Sequence, residues 1–301
     1  MSIIFSLFLE RVVLKMDLNI EKKQTFTEAF SVYFDKRMTK ILLLGAMSGF
    51  PWVLIGSSLS LWLKEDGLSR TTVGWAGLIF AVYAFNYLWA PIIDRIKIPW
   101  LTKKIGHRRG WIVVMQLIIL LSLIFWSIIE PTTNLALVIT VGLIIAIASA
   151  TQDITLDALR IEQIGENEGK VMQAGAAIAV VGWWTGYKLG GVVALNAAEF
   201  FQNAGVEKYW QITFLIMGVI IILCNIALMF VKEHTSNERE FSQKRTDELI
   251  ESKIGSSNFL SKSIAWITST IVGPILSFFK KNGFKIALGI IGFVFLFKIG
   301  E

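Results

Sequence analysis

The residues best able to do chemistry in this chain are Gln152, Asp153 and Asp157, which close an apolar run that begins at Leu135. An ionisable side chain inside a membrane span costs roughly 2.5–3.5 kcal/mol on insertion scales, so one that persists faces a cavity, finds a partner or carries protons and substrate. Asp153 and Asp157 are four residues apart. On a helix they share a face, where their like charges repel unless something compensates. Further along the apolar segments stand Tyr187, Lys188, Lys298 and Glu301, a second set of polar groups where few are tolerated.

These residues lie in spans only if the whole chain is membrane-embedded, and its composition says so. Hydrophobic residues make up 54% of 301 and charged residues 17%, and mean hydropathy is +0.61, against about 25% charged residues in an ordinary soluble domain. The net charge of +6 is then read by its placement across the membrane rather than by its total, which argues against a nucleic-acid partner. The single cysteine, Cys224, lies inside an apolar run, so no intrachain disulfide and no cysteine metal site is expected. His107 and His234 are far apart, and no metal site is expected from them either. No glycine-rich phosphate loop ending in Lys-Ser/Thr is present, and no enzyme signature emerges.

Segments of about 20 apolar residues are long enough to cross a bilayer core. Six qualify, at Lys40–Leu63, Thr71–Ile93, Trp111–Ile129, Leu135–Leu159, Val171–Ala197 and Tyr209–Val231, and a seventh begins near Phe284 and is cut off at Glu301. The chain therefore reads as incomplete, with its second half missing. Seven basic residues precede the first span (Arg11 to Lys40) and six lie between the second and third (Arg95 to Arg109), whereas the opposite loops hold few. By the positive-inside rule the N-terminus is cytoplasmic, and Asp157 lies near the inner surface.

The expected organisation is a cytoplasmic segment over 1–39, a six-helix bundle over 40–231, a charged cytoplasmic linker over 232–262, and the start of a second bundle over 263–301. In that last part, Ser263–Phe279 is short and interrupted by Gly273-Pro274, which favours an interfacial segment. The fold class is an all-α membrane protein, half of a two-bundle transporter plus the beginning of the other half.

Several motifs, taken in order, carry a resemblance. They are Gly45-x3-Gly49-Phe50-Pro51, the loop Ala90-Pro91-Ile92-Ile93-Asp94-Arg95 followed by Gly106-His107-Arg108-Arg109-Gly110-Trp111, the stretch Ser149–Ala158, Gly186-Tyr187-Lys188-Leu189-Gly190, and Lys298-x-Gly300-Glu301. The loop resembles the major-facilitator loop motif, and the ordered set resembles the AmpG-type muropeptide permeases. That resemblance implies proton-driven import of anhydro-muropeptides across the bacterial inner membrane, with membrane lipid as surroundings and no cofactor. Two positions depart from the family pattern: Lys188 stands where Arg is common, losing a planar fork for carboxylates, and Glu301 where Asp is usual.

At 1.5 Å per residue, Lys188 lies about 26 Å from Val171, and Asp153 only about 9 Å from Leu159. Asp153 and Asp157 are thus expected to form an inner layer, and Lys188, Lys298 and Glu301 an outer one. In the transport reading Lys188 attracts substrate carboxylates, Glu301 exchanges a proton, and Asp153 with Gln152 bonds substrate or closes the inner side. Pairing between helices is the plainer alternative. Asp94, Arg95, Arg108 and Arg109 are expected to form a gating latch, anchoring to anionic lipid being the other use of such a loop. Gly182, Gly186 and Gly190, spaced by four, are expected to pack against a neighbouring helix. Trp183, Trp184 and Tyr187 suit either packing or a sugar face. Asn86 and Gln116 are expected to bond across helices, and His107 to be solvated. A carrier of another bulky anion such as acetyl-CoA, or a non-transporting membrane fragment, remain open readings.

Overall fold

In a computed structural model of the chain, residues 31–164, 168–233, 266 and 268–300 are described. Six helices are long and apolar enough to cross a membrane: α1 (Lys36–Glu65), α2 (Arg70–Leu88), α3 (His107–Trp126), α4 (Pro131–Glu162), α5 (Gly169–Asn203) and α6 (Tyr209–Leu228). Two more follow, α7 (Gly273–Asn282) and α8 (Phe284–Gly300). There is no strand among the described residues. In a bilayer core helices satisfy their own backbone, which is why apolar runs of this length fold this way.

Helices α4 and α5 outrun the expected spans at both ends. α2 instead stops short, wound alternately as α-helix and 3₁₀-helix, and the chain resumes as a short helix at Ala90–Arg95. The interrupted segment before α8 is helical where described, with a π turn over Thr268–Val272 and Pro274 in the first turn of α7. Pro is tolerated there because the first-turn N–H groups have no helical partner. Most of the charged linker, and Glu301, lie outside the described residues. Lys298 lies on α8.

The seam between α1 and α5 is built on glycine. A methyl group added at Gly45, Gly49, Gly182 or Gly186 would overlap the backbone carbonyl oxygen of Ala179, Trp183, Leu42 or Ala46 respectively. At Gly190 it would press on the Phe50 ring. The glycine repeat of α5 thus meets a second repeat on α1, and the two backbones touch as small residues in membrane helices allow. At the end where α1 terminates, Trp62, Trp126, Trp210 and Phe214 are buried together, with Trp62 and Trp126 ring centroids 4.9 and 5.0 Å from Phe214. Glu65 accepts hydrogen bonds there from Trp210 Nε1 (2.6 Å) and the Tyr209 hydroxyl (2.9 Å). This aromatic plug closes one end of the bundle.

Candidate functional site

Away from the plug, α1, α2, α4 and α5 border an open cavity of ≈ 1080 Å³. Its lining comes from the early part of α1 and α5 and the late part of α2 and α4, so it occupies the half of the bundle opposite the plug. The wall is mostly apolar, with Asp153, Asp157, Ser48, Asn86, Arg160 and the hydroxyls of Tyr83 and Tyr87 as polar groups. Asp153 is half-buried and accepts a hydrogen bond from Ser48 Oγ at 2.7 Å, which ties α4 to α1.

Gln152 is turned away from this space. It is 0% exposed and absent from the lining, and its Nε2 donates to the Met47 carbonyl at 2.8 Å. Asp157 borders the cavity, but its side chain is 68% exposed and pairs with Arg160 at 3.0 Å, one turn along α4. Two adjacent residues of α4 therefore grip two adjacent residues of α1, and Asp157 sits at the mouth.

The aromatic wall is larger than sequence reasoning found. Trp52 on α1 lies 4.4 Å from Tyr83 and 5.4 Å from Trp183, ring centre to ring centre. Trp183 and Tyr187 stack at 5.5 Å with planes 7° apart. Of these Trp52, Tyr83 and Trp183 line the cavity, with Trp184 beside them. The signal for Trp52 was its place one residue after the Gly-Phe-Pro motif. Tyr83 had none, because only the folded register brings it there.

Lys188 does not line the cavity. It is exposed on α5, with Nζ 5.5 Å above the Trp184 ring and 5.8 Å above Tyr187, a cation–π arrangement. Asp153 and Lys188 are closer in level than the helix counts suggested. The α1 glycines beside Ser48 abut Gly182 and Trp183, so Ser48 and its partner Asp153 lie only about five residues, or 7.5 Å, along α5 from Lys188.

At the end where α1 begins, the basic loop is organised around Arg108. Its guanidinium pairs with Asp94 and, through Nε at 3.3 Å, with Glu162 at the end of α4. The side chains of Arg108 and Glu162 are only 10% and 13% exposed, so this pair is shielded more than a surface salt bridge. Arg109 offers its backbone N–H to Glu233 and reaches the Met229 carbonyl at 3.5 Å. Arg95 lies at the end of the short helix that carries Asp94.

Glu233 was not anticipated. Its carboxylate accepts the backbone N–H groups of His107, Arg108 and Arg109 at 2.8, 2.9 and 3.0 Å, capping α3 where Gly106 offers no side chain. A helix start without a Ser, Thr, Asp or Asn cap was the signal available. A second clasp joins α1 to the start of α5, with Arg37 bound to Asp35 at 2.6 Å and to Glu168 at 2.7 Å. Arg37 beside it holds the Asp35 carboxyl below its ordinary value through hydrogen bonding.

Two minor expectations fail. His107 is half-buried rather than solvated, its Nε2 3.0 Å from the Ile93 carbonyl. The Gln116 amide is fully buried and finds no hydrogen-bond partner among the described residues. Among the described residues no cluster of His, Cys, Asp or Glu could hold a metal.

Six helices long and apolar enough to cross a membrane, four of them bordering a part-polar cavity, mark a multi-pass membrane protein. The description of the Major Facilitator Superfamily matches residues 41–299, and the chain belongs to that family. It is 31% identical over 270 residues to the protein called Putative transporter AmpG 4 of Rickettsia conorii, covering 90% of this chain and 58% of that one. To Putative transporter AmpG 3 of Rickettsia typhi it is 33% identical over 261 residues (87% and 56%). To the Anhydromuropeptide permease of Escherichia coli K12 it is 31% identical over 204 residues (68% and 39%). The chain thus spans about half the length of these relatives.

Proposed function

We propose that this chain belongs to a proton-driven secondary transporter that imports anhydro-muropeptides across the bacterial inner membrane, with its N-terminus in the cytoplasm. The observation that carries this reading is Asp153, a half-buried carboxylate on an aromatic-walled cavity of ≈ 1080 Å³. That volume lies just above the roughly 300–1,000 Å³ of ordinary ligand pockets and suits a bulky solute. A muropeptide offers sugar faces for Trp52 and Trp183 and polar groups for Ser48, Asn86 and Asp153. The name of the Escherichia coli relative adds support for that substrate class.

In this reading the end with Arg37, Arg95, Arg108 and Arg109 faces the cytoplasm, as the basic loops require. Asp94, Arg108, Glu162 and Glu233 form the gate on that side, with Arg95 and Arg109 beside them. Lys188 attracts substrate carboxylates, Lys298 acts with it, and Glu301 exchanges the proton. The moving partner is a second helical bundle, against which this one rocks.

The test is uptake of radiolabelled anhydro-muropeptide by cells that lack their own permease and carry the gene encoding this chain. Uptake that collapses with a protonophore is expected. Uptake of acetyl-CoA in its place, or uptake indifferent to the proton gradient, would overturn the substrate or the coupling respectively.

A further inference from the structure

Pro51 stands inside α1. It carries no N–H, so the carbonyl four residues earlier, that of Met47, loses its helical donor. Met47 is 1% exposed, where no bulk water reaches. An orphan polar group in such a place costs about 1–3 kcal/mol. The Nε2 of Gln152 supplies the missing donor at 2.8 Å. The Oε1 of the same amide is buried and makes no hydrogen bond with the described residues, so the side chain is aimed by its N–H group alone.

The next residue along each helix makes the next contact, from Ser48 Oγ to Asp153 at 2.7 Å. The peptide that Gln152 holds is therefore the one that sets the direction of Ser48. Just past Pro51, α1 winds as a π turn over Leu54–Ser58, an irregularity that often marks a working point in a helix. α1 is thus interrupted beside the cavity and fastened to α4 at two successive residues.

We infer that Gln152 is a positioning residue for Asp153: it replaces the hydrogen bond that Pro51 removes and so keeps Ser48 aligned on the carboxylate. The inference rests on the reading of Asp153 as the group that meets substrate or proton. When Asp153 is protonated or engaged by a ligand, the Ser48 bond is exchanged while the Gln152 bond to Met47 remains. The titratable and charged groups that border the cavity with Asp153 are Tyr83 and Tyr87 on α2 and Asp157 and Arg160 on α4, while α1 and α5 contribute none to its lining.

A hydroxyl donating to a carboxylate favours the charged form, so misalignment of Ser48 raises the pH at which Asp153 takes a proton. That midpoint can be read without substrate, from the carboxyl C=O infrared band of the purified protein, assigned by difference with D153N. S48A is expected to raise it, and Q152M to raise it by at least about half a pH unit. The decisive variant is P51A/Q152M, because alanine restores an N–H to Met47 and makes Gln152 dispensable. Its midpoint is expected to return to that of the P51A protein. An unchanged midpoint in Q152M, or an equal shift in both backgrounds, would overturn the inference. If Q152M gives no folded protein, recovery of folded P51A/Q152M supports it, and failure of that variant where P51A folds overturns it. Since no transport is measured, a failure here is separate from any failure of the uptake reading.

Discussion

Helix α1 meets α5 and α4 by opposite means. Against α5 it presents glycines, and backbone lies on backbone with no room for a methyl group. Against α4 it presents a serine hydroxyl and a freed carbonyl, each taken by one side chain beside a cavity. The first seam cannot change its spacing without losing dispersion contacts along its length. The second can exchange a hydrogen bond for another partner at a net cost near 1 kcal/mol. A bundle that must admit a solute and still hold together needs both kinds of seam, and here one helix carries them on two faces.

The largest effect is expected where the rigid seam is forced apart. Gly186→Leu drives a side chain into the Ala46 carbonyl and should cost about 3 kcal/mol or more, seen as loss of monodisperse protein in detergent. The same change at Gly191, whose added Cβ meets nothing within 4 Å, should leave the yield unaltered. If both behave alike, the seam is not what holds α1.

Next in size is Glu233→Ala, which strips three N–H groups of α3 of their acceptor. The loss should be about 1–2 kcal/mol, with faster hydrogen exchange at His107–Arg109 and no change at the glycine seam. Ser48→Ala removes one bond of the exchangeable seam and should lower stability by about 1 kcal/mol or less, measured by thermal unfolding. A loss there as large as at Gly186 would erase the distinction between the seams.

The smallest effect concerns the two ends and has opposite signs. The Asp35 carboxyl is held below its ordinary value by its hydrogen bonds with Arg37. It therefore contributes stability above about pH 4 that is lost as pH falls through its lowered value. Asp66, past the end of α1, is pushed up by burial and then by Glu130 and Glu65. Its contribution is present at low pH and lost as pH rises through the raised value. Hydrogen exchange between pH 3 and 6 should show the first turn of α1 loosening as acid is added while the turn at Asp66 tightens.

The spans were legible because apolar length alone specifies them, and the glycine repeat of α5 was legible because its period is that of a helix face. Its partners Gly45 and Gly49 stood in the same sequence, yet pairing the two repeats needed the crossing of α1 and α5, which no local pattern encodes. Gln152 was misplaced for a related reason. Beside Asp153 it shares a polar motif, but neighbours on a helix point about 100° apart, so one reaches the cavity and the other the α1 backbone. Glu233 opens a charged stretch in which every carboxylate looks alike. Only the uncapped start of α3, 127 positions earlier than that residue's neighbour His234, distinguishes it.

The central claim is that substrate passes the α4 carboxylate that Ser48 holds. Its most direct test is uptake of labelled anhydro-muropeptide by cells carrying D153N, at membrane levels matched to the parent and with thermal unfolding unchanged. Uptake at least tenfold lower is expected, whereas uptake equal to the parent's would contradict the account.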